Sequence, residues 1–174
     1  MGDVTVSEFC DKHRACTDVA GWCRDNSLLD VRMSELWDRE DLIPEWRVWI
    51  ATRNGVLCDR DSRLFGCLCV RQVWHLLDDV RSRTAVEVSE HYANGNATAE
   101  ELSEAFSEAR AVAVAWSASE VKDAAIGDAV WAAVWAAAGD SAVRYLVGDE
   151  AASAAAAELG NPFLRGENND SVGY

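Results

Sequence analysis

The sequence predicts an all-α fold, a single-domain antiparallel multi-helix bundle with an alanine-rich C-terminal half. Three observations predict it. Pro44 and Pro162 are the only prolines, so the long stretch between them lacks the strongest helix breaker. Apolar residues recur at three- and four-residue spacing, the repeat of one helix face. Strand-like alternation is weak and confined to Val4-Thr5-Val6 and residues 111–115, both in better helical contexts.

The elements follow in order. Thr5-x-x-Glu8 has the form of a capping box and starts a short helix through His13. Cys16 to Arg24 and Val31 to Trp37 supply two more short helices. Pro44 suits a first helical turn, and Trp46, Trp49 and Ile50 then fall near one face until Asn54-Gly55 ends the run. Asp61 or Ser62 is the expected cap of a central buried helix, with Leu64, Phe65, Leu68, Cys69 and Leu76 along its apolar side and an end near Leu77. Arg83 to Ala93 forms the next helix and Asn94-Gly95 stops it. Thr98-x-x-Glu101 is a second capping box, launching a long acidic helix. From about Ala105 to Ala157 alanine dominates. Its high helix propensity and small size favour closely packed helices, with breaks expected at Asp123, Gly139-Asp140 and Gly148-Asp149. An isolated alanine-rich helix would bury too little to stay ordered, so hairpins are expected over one long rod. The organisation read from this pass is one helical domain over residues 1–160. It comprises short Trp/Cys-rich helices (1–56), a central helical hairpin (57–96) and acidic alanine-rich helices (97–160), followed by a flexible tail (161–174).

Composition narrows the function. An apolar share of 49% across 174 residues suffices for a packed core. The formal charge of −14 disfavours direct contact with nucleic acid or an anionic membrane and favours a basic protein partner. Residues 100–158 hold eleven acids against three bases, a net of −8, so the negative field concentrates there. Glu100, Glu104 and Glu108 share a helix face beside Glu101, and with Asp123 and Asp128 they are the candidate partner-binding residues. Carboxylates in such a stripe either lie on a solvated face or imitate phosphates before a basic groove. Eight tryptophans add possible interface anchors wherever they are exposed. The first residues show no basic stretch followed by an apolar run, so the expected location is the cytoplasm, with reduced thiols.

Chemistry-bearing constellations are few. Cys10, His13, Cys16 and Cys23 are soft ligands within fourteen residues, but Cys10 and Cys16 diverge by about 120° on a continuous helix. Cys67 and Cys69, two apart, point in opposite directions and read as core. His75 and Asp79 read either as a base with its orienting carboxylate or as an ion pair within one helix. No phosphate loop, dinucleotide fingerprint, nucleophile elbow or His-Glu-x-x-His occurs, so neither an enzyme nor a cofactor is expected.

Four stretches carry a resemblance. They are Trp46-Arg-Val-Trp49, Cys67-Leu-Cys-Val-Arg71, Ala85-Val-Glu-Val-Ser-Glu-His-Tyr-Ala-Asn-Gly95 and Ala97-Thr-Ala-Glu-Glu-Leu102, followed by the alanine-rich end. Together they resemble an alanine-rich immunity-protein family of bacteria and phages, most specifically over residues 58–104. The resemblance implies a non-catalytic cytosolic protein that neutralises a nuclease-type toxin, or a phage product that blocks a host defence effector such as a CRISPR nuclease. It transfers no catalytic residue. Two other readings remain open, a self-associating helical scaffold (a homo-oligomer) and a cysteine-rich metal-binding protein.

Overall fold

The computed structural model describes residues 3–119, 123–139 and 143–164. Among them stand ten α-helices and one 3-10 turn, with no strand beyond an isolated antiparallel bridge between Thr5 and Arg32. The all-α, multi-helix reading therefore holds. The chain divides into two compact units, residues 1–57 with 160–174, and residues 58–159.

The first unit holds α1 (Val6–His13), α2 (Thr17–Asp25), α3 (Met33–Trp37) and α4 (Pro44–Ala51). The Thr5–Glu8 capping box forms: Thr5 N–H donates to Glu8 Oε2 at 2.8 Å, and Glu8 N–H donates to Thr5 Oγ1 at 3.2 Å. Helix α3 has no cap from its own flanking residue Arg32. Asp3 supplies one from a distance, accepting from Ser34 N–H at 3.0 Å and from Ser34 Oγ at 2.7 Å. Pro44 opens α4 as expected. Three aromatic side chains, Phe9, Trp37 and Phe163, are buried among the aliphatic ones of the core. Phe9 meets Trp49 and Phe163 edge-on, each at 5.9 Å, and Trp37 lies 6.3 Å from Phe163. Residues 161–164, read from sequence with the tail, thus include a core side chain, and Asn161 donates its amide to Ser34 O at 2.8 Å. The remainder of that tail, 165–174, lies outside the described residues.

The second unit contains α5 (Asp59–Gln72), the 3-10 turn (Trp74–Leu76), α6 (Val80–Ala93), α7 (Ala99–Ala118), α8 (Ala124–Ala138), α9 (Arg144–Val147) and α10 (Asp149–Leu159). Helix α5 starts earlier than expected. Cys58 is its N-cap, without a side-chain cap bond, while Asp61 sits buried in the first turn beside Arg60 at 3.0 Å. An acid there is favoured by the positive end of the helix. The helix also stops earlier, at Gln72, because the chain tightens into the 3-10 turn and Leu77 turns extended to bury its side chain. Asp79 then caps α6.

Helix α8 packs against α5, α6, α7 and α9. Its buried Ala129, Ala132, Ala133, Ala136 and Ala137 permit that many neighbours, because small side chains let backbones approach. A Cβ placed on Gly66 of α5 would lie 3.4 Å from Ala136 Cα. Ser89 of α6 donates to Ala136 O at 3.1 Å. Of the expected breaks, Asp123 caps α8, Gly139 ends it at φ +75°, and Gly148 at φ +85° separates α9 from α10. Asp140 lies outside the described residues.

Candidate functional site

Two capped helices build the candidate site. Asp79 fixes the start of α6, accepting from Arg81 N–H at 2.9 Å and pairing with the Arg81 guanidinium at 2.9 Å. The second capping box fixes α7: Glu101 N–H donates to Thr98 Oγ1 at 3.2 Å and Thr98 N–H donates to Glu101 Oε2 at 2.7 Å. Spacing of three and four residues from that start sets Glu101, Glu104 and Glu108 along one side of α7. There they line a groove of about 350 Å³ shared with α6, whose Arg81, Thr84 and His91 form the other wall. Val88 and Ala105 contribute apolar surface to it.

Three carboxylates against one guanidinium leave the groove net negative. The Asp79 carboxylate, hydrogen-bonded to Arg81, holds that guanidinium above its usual pKa, and Glu108 adds a charge in the same direction. Arg81 is therefore shared between Asp79 and Glu108 and offsets only part of the carboxylate charge on the wall opposite it. The Thr98 backbone N–H, then its hydroxyl, hold Glu101 below the ordinary carboxylate range. Such an arrangement suits recognition of a cation: carboxylates for a guanidinium or ammonium group, and apolar surface for the methylene stem behind it.

The six residues singled out in the sequence divide among different settings. Glu104 and Glu108 are exposed and line the groove. Glu101 also lines it, but its carboxylate is occupied in the capping box. Glu100 is exposed on α7 outside the groove lining. Asp123 is the N-cap of α8, accepting from Ala125 N–H at 2.9 Å and Ile126 N–H at 3.2 Å. Asp128 is exposed on α8, apart from the groove. Sequence reasoning did not single out Arg81, Thr84 or His91. The Asp79-x-Arg81 spacing, a cap two residues from its guanidinium partner, is the only signal that pointed to the first of them.

Comparison with known proteins finds no matching family model, no curated protein and no solved structure.

The cysteine constellations resolve differently from the groove. Cys10 and Cys23 come together: their thiols share a hydrogen bond, which, with burial, raises the Cys23 thiol. His13 instead packs against Phe9, ring centroids 4.4 Å apart and tilted by 41°, and Cys16 is exposed at the start of α2. Among the described residues no three His, Cys, Asp or Glu side chains cluster closely enough to hold a metal ion. Cys67 and Cys69 are fully buried on α5, and burial pushes their thiols up to about 11 and about 12. His75 is exposed in the 3-10 turn and does not share a helix with Asp79, whose carboxylate serves α6 and Arg81. None of the eight tryptophans is exposed: Trp37 is buried and the others are half-buried. The Trp74 ring has the Arg71 guanidinium at 3.9 Å and that of Arg83 at 5.4 Å. No described helix is long and apolar enough to cross a membrane.

Proposed function

We propose that this chain is a non-catalytic inhibitor that binds a protein with a basic working surface through the α6–α7 groove. The target is a nuclease-type toxin, as for an immunity protein, or an antiphage defence nuclease. One observation supports the reading above others: Glu101, Glu104 and Glu108 line one recess beside apolar surface, in a chain of formal charge −14. The resemblance of residues 58–104 to immunity proteins points the same way. Lysine and arginine side chains that normally grip phosphates would insert between these carboxylates, and the inhibitor would occupy the surface that nucleic acid needs.

The test is affinity capture of the tagged chain from a bacterial or prophage-bearing lysate, with mass spectrometry, at two salt concentrations. A double variant, Glu104→Gln with Glu108→Gln, runs beside it. One dominant basic nuclease that the wild type retains, and that is lost with salt and with the double variant, is the expected outcome. A partner retained equally by the double variant, or insensitive to salt, would overturn the electrostatic reading. Recovery of the chain alone, with a mass that rises with concentration, would favour a self-associating scaffold.

A further inference from the structure

The long helix α7 has a second side. Read along its outward face, Glu100, Glu104, Ser107, Ala111, Val114 and Ala118 follow one another at spacings of four, three, four, three and four. All six are exposed, and Val114 is 53% exposed. That is the repeat by which one helix receives another along a seam. It is distinct from the buried side of α7, where Ala105, Ala109, Val112 and Ala113 meet the rest of the unit. Around the C-terminal part of the face Phe106, Arg110 and Val114, all of α7 itself, leave shallow open space between them. Alanine at 111 and 118 would let a second backbone approach closely, and Val114 supplies the projecting side chain.

We infer that this face of α7 docks an α-helix of the target protein, one with an apolar seam and a lysine- or arginine-rich C-terminal end. The inference rests on the inhibitor reading and names its partner's form. Charge selects the occupant. The seam is apolar over residues 111–118 and carries carboxylates at 100 and 104, with Glu108 beside it. An antiparallel helix would therefore set its apolar part over Ala111, Val114 and Ala118 and its basic end over Glu100 and Glu104. Antiparallel packing also aligns the two helix dipoles favourably. A second copy of this chain fits poorly. In the antiparallel register its own Glu100 and Glu104 would lie against Val114 and Ala118, covering carboxylates with apolar surface and no cation. In the parallel register like charges would face each other.

The experiment uses the full chain and a fluorescently labelled synthetic helix. The probe carries leucine at the a and d positions of two heptads and arginine through a third, with a matched peptide bearing glutamate in that third heptad. Binding is followed by anisotropy at low and moderate salt, beside Val114→Glu and the pair Glu100→Gln with Glu104→Gln. Circular dichroism and melting curves check that these exposed substitutions leave the fold intact. The arginine peptide should bind and the glutamate peptide should not. Val114→Glu should weaken binding about tenfold or more, and the glutamine pair should remove much of the salt dependence. Failure of the arginine peptide to bind, or binding indifferent to Val114→Glu, would overturn the inference. So would a dimer in sedimentation that Val114→Glu dissociates, which would make a second copy the occupant. The captured target separates this inference from the reading it rests on. Retention by Val114→Glu with loss by the Glu104/Glu108 variant would leave the groove standing and remove the helix face.

Discussion

Single residues show how little the identity of a side chain decides without its neighbours. Gly21 and Gly127 are both helical glycines, yet a Cβ on Gly21 meets nothing within 4 Å, whereas one on Gly127 would come within 2.8 Å of the Trp116 indole nitrogen. Gly21→Ala should therefore stabilise the protein by up to about 1 kcal/mol, the ordinary helix gain. Gly127→Ala should destabilise it by about 1–3 kcal/mol, because overpacking outweighs that gain. Opposite shifts in denaturant midpoint check the pair. Gly139 adds a backbone requirement. It closes α8 at φ +75°, and a Cβ there would meet Arg63, whose guanidinium donates to Ala137 O at 2.6 Å and satisfies the helix end. Gly139→Ala should cost about 1–2 kcal/mol in urea unfolding. His13 supplies a pH dependence. Burial first, then the charges of Lys12 and Arg53, hold its pKa below 6.5, and its Nε2 is buried without a hydrogen-bond partner. Below pH 6.5 the unfolded chain takes up a proton that the folded chain resists. His13 therefore contributes stability fully present above that pH and lost as pH falls through its lower folded value. A stability–pH profile should show this slope, and His13→Gln should flatten it.

At the scale of the element, both capping boxes were legible because a box is local: four residues contain its donors and acceptors. Thr98→Ala should cost about 1 kcal/mol by removing the cap of α7. It should also remove the hydroxyl's share of the hold on the Glu101 carboxylate, raising that residue's pKa only part of the way toward its ordinary value in an NMR titration, because the backbone N–H of residue 98 still donates to it. The ends of α5 were not legible in the same way. Asp61 has the chemistry of a cap, but the helix begins two residues before it, and Leu77, which extends the apolar spacing, is instead buried by an extended turn. Helix α3 makes the point from the other direction. Its cap is Asp3, thirty-one residues from Ser34, and no local pattern announces it.

For the molecule as a whole, charge is the property that sequence states most reliably and structure distributes. A net of −14 repels itself in the compact state, so moderate sodium chloride should raise the melting temperature by screening that repulsion. The same salt should weaken capture of a basic partner, and the opposite signs separate intramolecular from intermolecular electrostatics. The sequence by itself determined the helical class, the two capping boxes, the glycine breaks and the acidic character of α7, because each depends on residues within a turn or two of one another. Only the tertiary structure decided which carboxylates share a recess. Glu101 and Asp123 proved to be engaged in caps, Glu104 and Glu108 line a groove beside Arg81, and Glu100 continues along the outward seam. That sorting depends on the rotation of α7 against α6, which is set by which apolar side chains each helix buries, and helix packing of this kind is written in no short segment of the chain.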